Sequence, residues 1–60
     1  MEITVKEVRK NDQIMLTKGI IEVVKKIKTT NKNNNYLDIH TDFDVFEVHK
    51  DTNVRLVYRQ

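Results

Sequence analysis

Two histidines and the carboxylates close to them give the clearest chemical signal in this sequence. If the stretches that carry them pair as a β-hairpin, His40 lies opposite Glu47 and Asp38 lies opposite His49. Two such pairs side by side could bind a divalent metal or form a pH-sensitive contact. An exposed face with complementary cross-strand charges explains the same residues. We favour this simpler role and expect no metal site.

Basic residues form a second candidate site. Grooves that combine cations with an aromatic ring bind nucleic acid, and an arginine fork grips phosphate or carboxylate through two hydrogen bonds. A small nucleotide held between subunits would use the same groups. Solvated lysines, balanced by nine acidic residues in a chain of net charge +2, are the simpler explanation. The candidate residues are Lys25, Lys26, Lys28, Tyr36, Arg55 and Arg59.

The sequence contains few of the residue types and motifs that support catalysis. It contains no Ser and no Cys, so the usual hydroxyl and thiol nucleophiles, disulfides and thiolate metal sites are missing. Gly19 is the one glycine, and a glycine-rich phosphate loop needs several. His40 and His49 could act as general acid and base, but a domain of this size offers little concave surface around a substrate. We therefore expect a protein that is not an enzyme and has no cofactor.

The elements that carry these residues are predicted to be strands. Ile, Val and Thr are abundant while Ala and Pro are absent, and β-branched side chains favour a pleated surface. Apolar and polar residues alternate with the period of two that is typical of half-buried strands. We predict one all-β domain over residues 1–60, with five to six antiparallel strands. The predicted strands are 2–8, 13–17, 20–28, 36–41, 45–50 and 54–58.

The third of these segments fits two structures. As a strand it places Ile21, Val23 and Ile27 on the inner face, with a bulge near Lys25 and Lys26 that corrects the register. As a helix it presents apolar residues at the i, i+3, i+4 and i+7 spacing. Four of the five residues after Gly19 are β-branched, which favours the strand.

Turn residues separate the predicted strands. Asn11 and Asp12 tolerate left-handed backbone and bond to nearby backbone groups, and Gly19 is expected where φ is positive. A third turn is predicted at residues 42–44. Residues 29–35 are predicted to form a polar surface loop.

The order of these signals resembles a small SH3-like β-barrel of the kind common among phage and mobile-element proteins. The resemblance is carried by Val5–Val8, Asn11–Ile14, Gly19, residues 23–27 and the last strand at Val54–Arg59. It implies a closed barrel and no particular activity. The chain has no Trp and two Tyr, so neither the aromatic groove that binds polyproline nor a Tudor-like cage for methylated lysine is expected.

The predicted function is stoichiometric binding to a host protein, as an inhibitor or modulator of phage or mobile-element origin. The alternatives are a nucleic-acid-binding barrel and a sponge for a small nucleotide. No apolar run approaches the ~20 residues that cross a bilayer, and the first residues lack the order of a signal peptide, so we expect a cytoplasmic protein. Neighbouring exposed apolar residues often mark an interface, and they predict a homodimer. The predicted interface residues are Met15, Ile20, Val24, Val45 and Val57.

Overall fold

The computed structural model describes residues 1–30 and 34–60, and these form six antiparallel strands and one short 3₁₀ turn. The prediction of an all-β domain is confirmed, including a strand at residues 20–28 in place of a helix. Part of the predicted polar loop, residues 31–33, lies outside the described residues. The elements are β1 Glu2–Thr4, the 3₁₀ turn Val5–Glu7, β2 Gln13–Thr17, β3 Ile20–Thr29, β4 Tyr36–Thr41, β5 Val45–His49 and β6 Asn53–Tyr58.

The six strands form one sheet in the order β1-β6-β2-β3-β4-β5. β1 and β5 lie at its two ends, and the described residues show no ladder between them, so the predicted closure into a barrel is not observed. The predicted first strand ends early because the Glu7 carboxylate accepts hydrogen bonds from the Thr4 backbone N–H (2.9 Å) and hydroxyl (2.8 Å). The backbone N–H groups of the 3₁₀ turn donate to the carbonyls of Lys50 and Thr52, which follow β5, and not to β5 itself.

β3 is bent by a bulge between Val24 and Lys26, where the sequence predicted one. The faces predicted for its first half are wrong. Glu22 pairs with Ile14 of β2, and paired residues point to the same face. Because Ile14 faces the core, Glu22 and Val24 are also buried. Val24, predicted to point outward at a dimer interface, is fully buried in the core.

A compact apolar core lies between the two halves of the bent sheet. The bulge in β3 lets one strand pair with β2 through its first half and with β4 through its second half. Further apolar side chains pack around the buried centre and are themselves half-buried. The buried apolar residues are Ile3, Val5, Val8, Ile14, Val24, Ile39 and Val54.

The β4–β5 hairpin has a register two residues away from the predicted one. Ile39 pairs with Phe46, not with Val48. The reason is the hydroxyl of Thr41, which accepts hydrogen bonds from the backbone N–H groups of Phe43 (3.2 Å) and Asp44 (3.1 Å). Together with the bond from the Thr41 N–H to the Asp44 carbonyl (2.8 Å), they place Thr41 opposite Asp44 and centre the turn on residues 42 and 43. A shift of two residues keeps each side chain on its face but changes its partner.

Two residues in the described part of the chain have positive φ, and both were predicted as turn residues. Asn11 has φ of 74° and Gly19 has φ of 85°. Gly19 makes the tight connection from β2 to β3, where a Cβ would be strained by the backbone conformation. These two turns set where β2 begins and where β3 begins.

Candidate binding cleft

The predicted pairing of histidines with carboxylates does not form. In the observed register His40 pairs with Val45, and Asp38 pairs with Glu47. Like charges directly opposite each other repel, so this part of the outer face is not the complementary surface that the sequence predicted. Within the described ranges, no three His, Cys, Asp or Glu side chains come together as metal ligands.

His49 is instead placed against an aromatic ring. It pairs with Tyr36 across the hairpin, and the two rings meet edge to face with centroids 5.3 Å apart. The Nδ1 atom of His49 accepts a hydrogen bond from the Asp51 backbone N–H at 3.1 Å. The hydrogen bond stabilises the β5–β6 corner. The ring contact pairs Tyr36 with His49 within the same chain.

The lysines of β3 lie on an exposed face that mixes charges of both signs. The neighbouring Lys28 lowers the pKa of Lys26, through hydrogen bonding and charge repulsion. Across the ladder, Lys26 pairs with His40 and Lys28 pairs with Asp38. Lys25 lies in the bulge. The acidic residue beside Lys28 interrupts the continuous basic groove that nucleic acid would need.

The two predicted arginines lie apart from these lysines. Arg55 is on β6, which is separated from β3 by β2, and it pairs with Glu2 on one side and Met15 on the other. It is exposed. The strand order therefore divides the predicted basic site into two regions.

Arg59 forms what we call the Asp12–Arg59 clasp. Its Nε atom donates to Asp12 Oδ1 at 3.0 Å and its Nη2 atom to Asp12 Oδ2 at 2.9 Å. Nη2 also donates to the carbonyl of Glu7 at 3.0 Å, and Asp12 Oδ2 accepts from the Arg9 backbone N–H at 2.8 Å. The hydrogen bonds from Arg59 lower the pKa of Asp12, although burial opposes them. The Arg59 guanidinium, which was predicted to bind an external phosphate or carboxylate, thus binds a carboxylate of its own chain.

A cleft lies between the β2–β3 turn and the β4–β5 turn, and it has a volume of about 460 Å³. Ile20 follows the Gly19 turn directly, while Phe43 and Asp44 are in the turn organised by Thr41. The two turns meet here because β3 and β4 are neighbours and antiparallel. The lining residues are Thr17, Ile20, Glu22, Phe43, Asp44 and Phe46.

The walls of the cleft include exposed apolar side chains. Phe43 is 73% exposed and Ile20 is 48% exposed, whereas an aromatic ring usually buries most of its surface. Phe46 is half-buried and also contributes to the apolar walls of the cleft. Sequence reasoning treated Phe43 as a turn residue, and the lone aromatic in that turn was the signal that could have identified the cleft.

Glu22 contributes a buried carboxylate to the cleft and is 2% exposed. Its Oε1 atom accepts a hydrogen bond from the Thr41 hydroxyl at 2.6 Å. The salt bridges of the described ranges do not include this carboxylate. The sequence signal was an acid inside the run Ile20–Val24, where every other residue is β-branched.

The predicted interface residues do not gather into one patch. Val24 is in the core, and Ile20 lines the cleft. Val45 is on β5 at one end of the sheet, whereas Met15 and Val57 are on the adjacent strands β2 and β6. Ile20, Val45 and Val57 are exposed and Met15 is half-buried. Dimerisation through these residues stays a prediction.

Comparisons with protein-family models, with curated proteins and with solved structures find no match to this chain. In the described ranges no helix has the length and apolar character needed to cross a membrane.

Proposed function

We propose that this protein is a non-catalytic binding module that holds a segment of a partner protein in the cleft between the β2–β3 and β4–β5 turns. The observation that carries the proposal is the exposure of Phe43, at 73%, beside an open cleft. Aromatic residues in partly enclosed apolar sites are the usual anchors of protein interfaces.

The charge of the cleft supports a protein partner over a nucleic acid. Glu22 and Asp44 line it, and carboxylates repel phosphate. The basic residues that could attract phosphate lie on the exposed face of β3. Stoichiometric binding to a host protein, in a phage or mobile-element setting, is the biological role that we propose.

We also propose that the fold is an SH3-like barrel that is left open along one side. The division of β3 between two ladders, with the bulge between Val24 and Lys26, supports this assignment. Two backbone hydrogen bonds also support it, because they join the first turn to the β5–β6 corner. The Val5 N–H donates to the Thr52 carbonyl (2.8 Å), and the Lys6 N–H donates to the Lys50 carbonyl (3.2 Å).

Nucleic-acid binding is the second candidate, and the closeness of Lys26 to Lys28 favours it. An ammonium whose pKa is lowered by a like-charged neighbour gains from a nearby anion. Binding of this kind weakens steeply as salt is added, because phosphate contacts release counterions. A labelled oligonucleotide that binds the protein at low salt, and loses that binding in Lys26→Gln, would support this candidate.

Selection from a library of displayed random peptides tests the main proposal. Peptides recovered on the wild-type protein should lose about tenfold in affinity, or about 1.4 kcal/mol, in Phe43→Ser. Tyr58→Ser is the matched control, because Tyr58 is an exposed aromatic residue (55%) that does not line the cleft. Recovery of no peptide, or of peptides that bind Phe43→Ser and wild type equally, would contradict the proposal.

A further inference from the structure

We infer that the group entering the cleft is a positively charged side chain of the partner, a lysine or an arginine. This inference rests on the proposed function and specifies the chemistry of the bound group. Lysine and arginine have an apolar stem and a charged head. The cleft has the complementary arrangement, with apolar walls at Ile20, Phe43 and Phe46 and a carboxylate at Glu22.

The charge of Glu22 is not balanced by a salt bridge within the described ranges. A buried carboxylate is costly unless it is paired and hydrogen-bonded, and it can accept about four hydrogen bonds. In the described ranges, the Thr41 hydroxyl supplies one hydrogen bond, to Oε1. Every fully enclosed polar side-chain atom in those ranges has a partner, so Oε2, which has no hydrogen bond there, is not fully enclosed, and Glu22 is a lining residue of the cleft. A cationic head group there would form the charge-assisted hydrogen bonds that the described residues do not supply.

Negative charge exceeds positive charge around this end of the sheet, where the β2–β3 turn carries Lys18 and the cleft and the β4–β5 turn carry three carboxylates. Asp44 lines the cleft, and Asp42 is in the same turn. Their Oδ1 atoms accept backbone hydrogen bonds from Val45 (2.8 Å) and Val23 (3.1 Å). The salt bridges in the described part of the chain lie elsewhere. The potential of the three carboxylates therefore favours a cation and opposes an anionic ligand.

Aromatic side chains form part of the cleft wall. The exposed ring of Phe43 lies at the cleft, and a cation over the face of an aromatic ring is attracted by its quadrupole. A neutral apolar side chain would use the walls but not the carboxylates. The geometry thus selects a cation over an apolar group of the same length.

The test is an NMR titration with two small probes that differ in charge, Nα-acetyl-lysine N-methylamide and its norleucine analogue. The lysine probe should shift the backbone amide signals of Glu22, Phe43 and Asp44. The norleucine probe should bind about tenfold more weakly, which corresponds to the loss of one charge-assisted contact. Both probes have the same stem length, so the comparison isolates the charge.

The variant Glu22→Gln should remove the preference for lysine, while its amide oxygen still accepts the Thr41 hydrogen bond. Glu47→Gln is the matched control, since Glu47 is an exposed acid on β5 that does not line the cleft. Equal binding of the two probes to wild type would overturn the inference and leave the proposed function intact. The same holds if neither probe shifts cleft signals although Phe43-dependent peptides are recovered. The probe comparison on the wild-type protein remains decisive if Glu22→Gln does not fold.

Discussion

Asp12 and Glu22 are the two buried charged residues in the described part of the chain, and their surroundings differ sharply. Asp12 is 1% exposed and Glu22 is 2% exposed. The Asp12 carboxylate accepts two hydrogen bonds from Arg59 and one from the backbone of Arg9. The Glu22 carboxylate accepts one from a hydroxyl and borders an open cleft.

The difference shows how partners decide the role of a buried acid. The Asp12–Arg59 clasp joins residues 47 positions apart and ties the end of the chain to the first turns, so it stabilises the fold. Glu22 has a hydroxyl partner that also organises the β4–β5 turn, but no cation in the described ranges. A buried acid without its cation, beside an accessible cleft, is suited to a ligand that brings one.

The largest effect is expected from Asp12→Asn. Loss of the carboxylate leaves the Arg59 guanidinium without its ion pair, and removal of one partner from a buried pair is strongly destabilising. Because the Arg59 side chain is 30% exposed, water replaces part of the interaction. We expect the free energy of unfolding to fall by about 2 kcal/mol, as measured by urea denaturation with circular dichroism.

The control for this variant is Arg59→Lys, which keeps the charge but loses the fork that binds both carboxylate oxygens. A lysine makes point contacts instead, so a smaller loss, of about 1 kcal/mol, is expected. A loss below about 0.5 kcal/mol in Asp12→Asn, as is usual for surface substitutions, would show that the clasp does not stabilise the fold.

A smaller effect is expected from a change of pH. The difference in unfolding free energy between wild type and Asp12→Asn should decrease in acid. The guanidinium of Arg59 lowers the pKa of Asp12 in the folded state. A carboxyl of lowered pKa stabilises the fold fully above its unfolded pKa, about 4, and loses this contribution as pH falls through its folded pKa. The difference in unfolding free energy should therefore be constant near neutral pH and shrink below about pH 4. A difference that stays constant into strong acid would contradict the account.

The strands and turns of this fold could be predicted from the sequence because their causes are local. Alternation with period two placed β2 and β4 at their observed bounds, Gln13–Thr17 and Tyr36–Thr41. The turn chemistry of Asn11 and Gly19 gave both positive φ values. β-branched residues settled the ambiguous segment as strand β3.

Register and long-range pairing could not be predicted, and the candidate site depends on both. Local hydrogen bonds to the Thr41 hydroxyl fix the position of the β4–β5 turn, and in the resulting register His40 and His49 lie opposite other residues than those predicted. Alternation alone does not say which face of β3 is inner, so Ile21 and Val23 were predicted on the inner face that Glu22 and Val24 occupy. The pairing of Arg59 with Asp12 bridges too much chain for spacing rules to detect.

The most direct test of the comparison is the urea unfolding of Glu22→Gln alongside Asp12→Asn. Glutamine keeps an acceptor for the Thr41 hydroxyl and removes a buried charge that has no cationic partner among the described residues, so its unfolding free energy should stay within about 0.5 kcal/mol of wild type or rise. Asp12→Asn should lose about 2 kcal/mol under the same conditions. A loss in Glu22→Gln as large as that in Asp12→Asn would show that Glu22 is a structural acid like Asp12, and would contradict its assignment to the binding of an external cation.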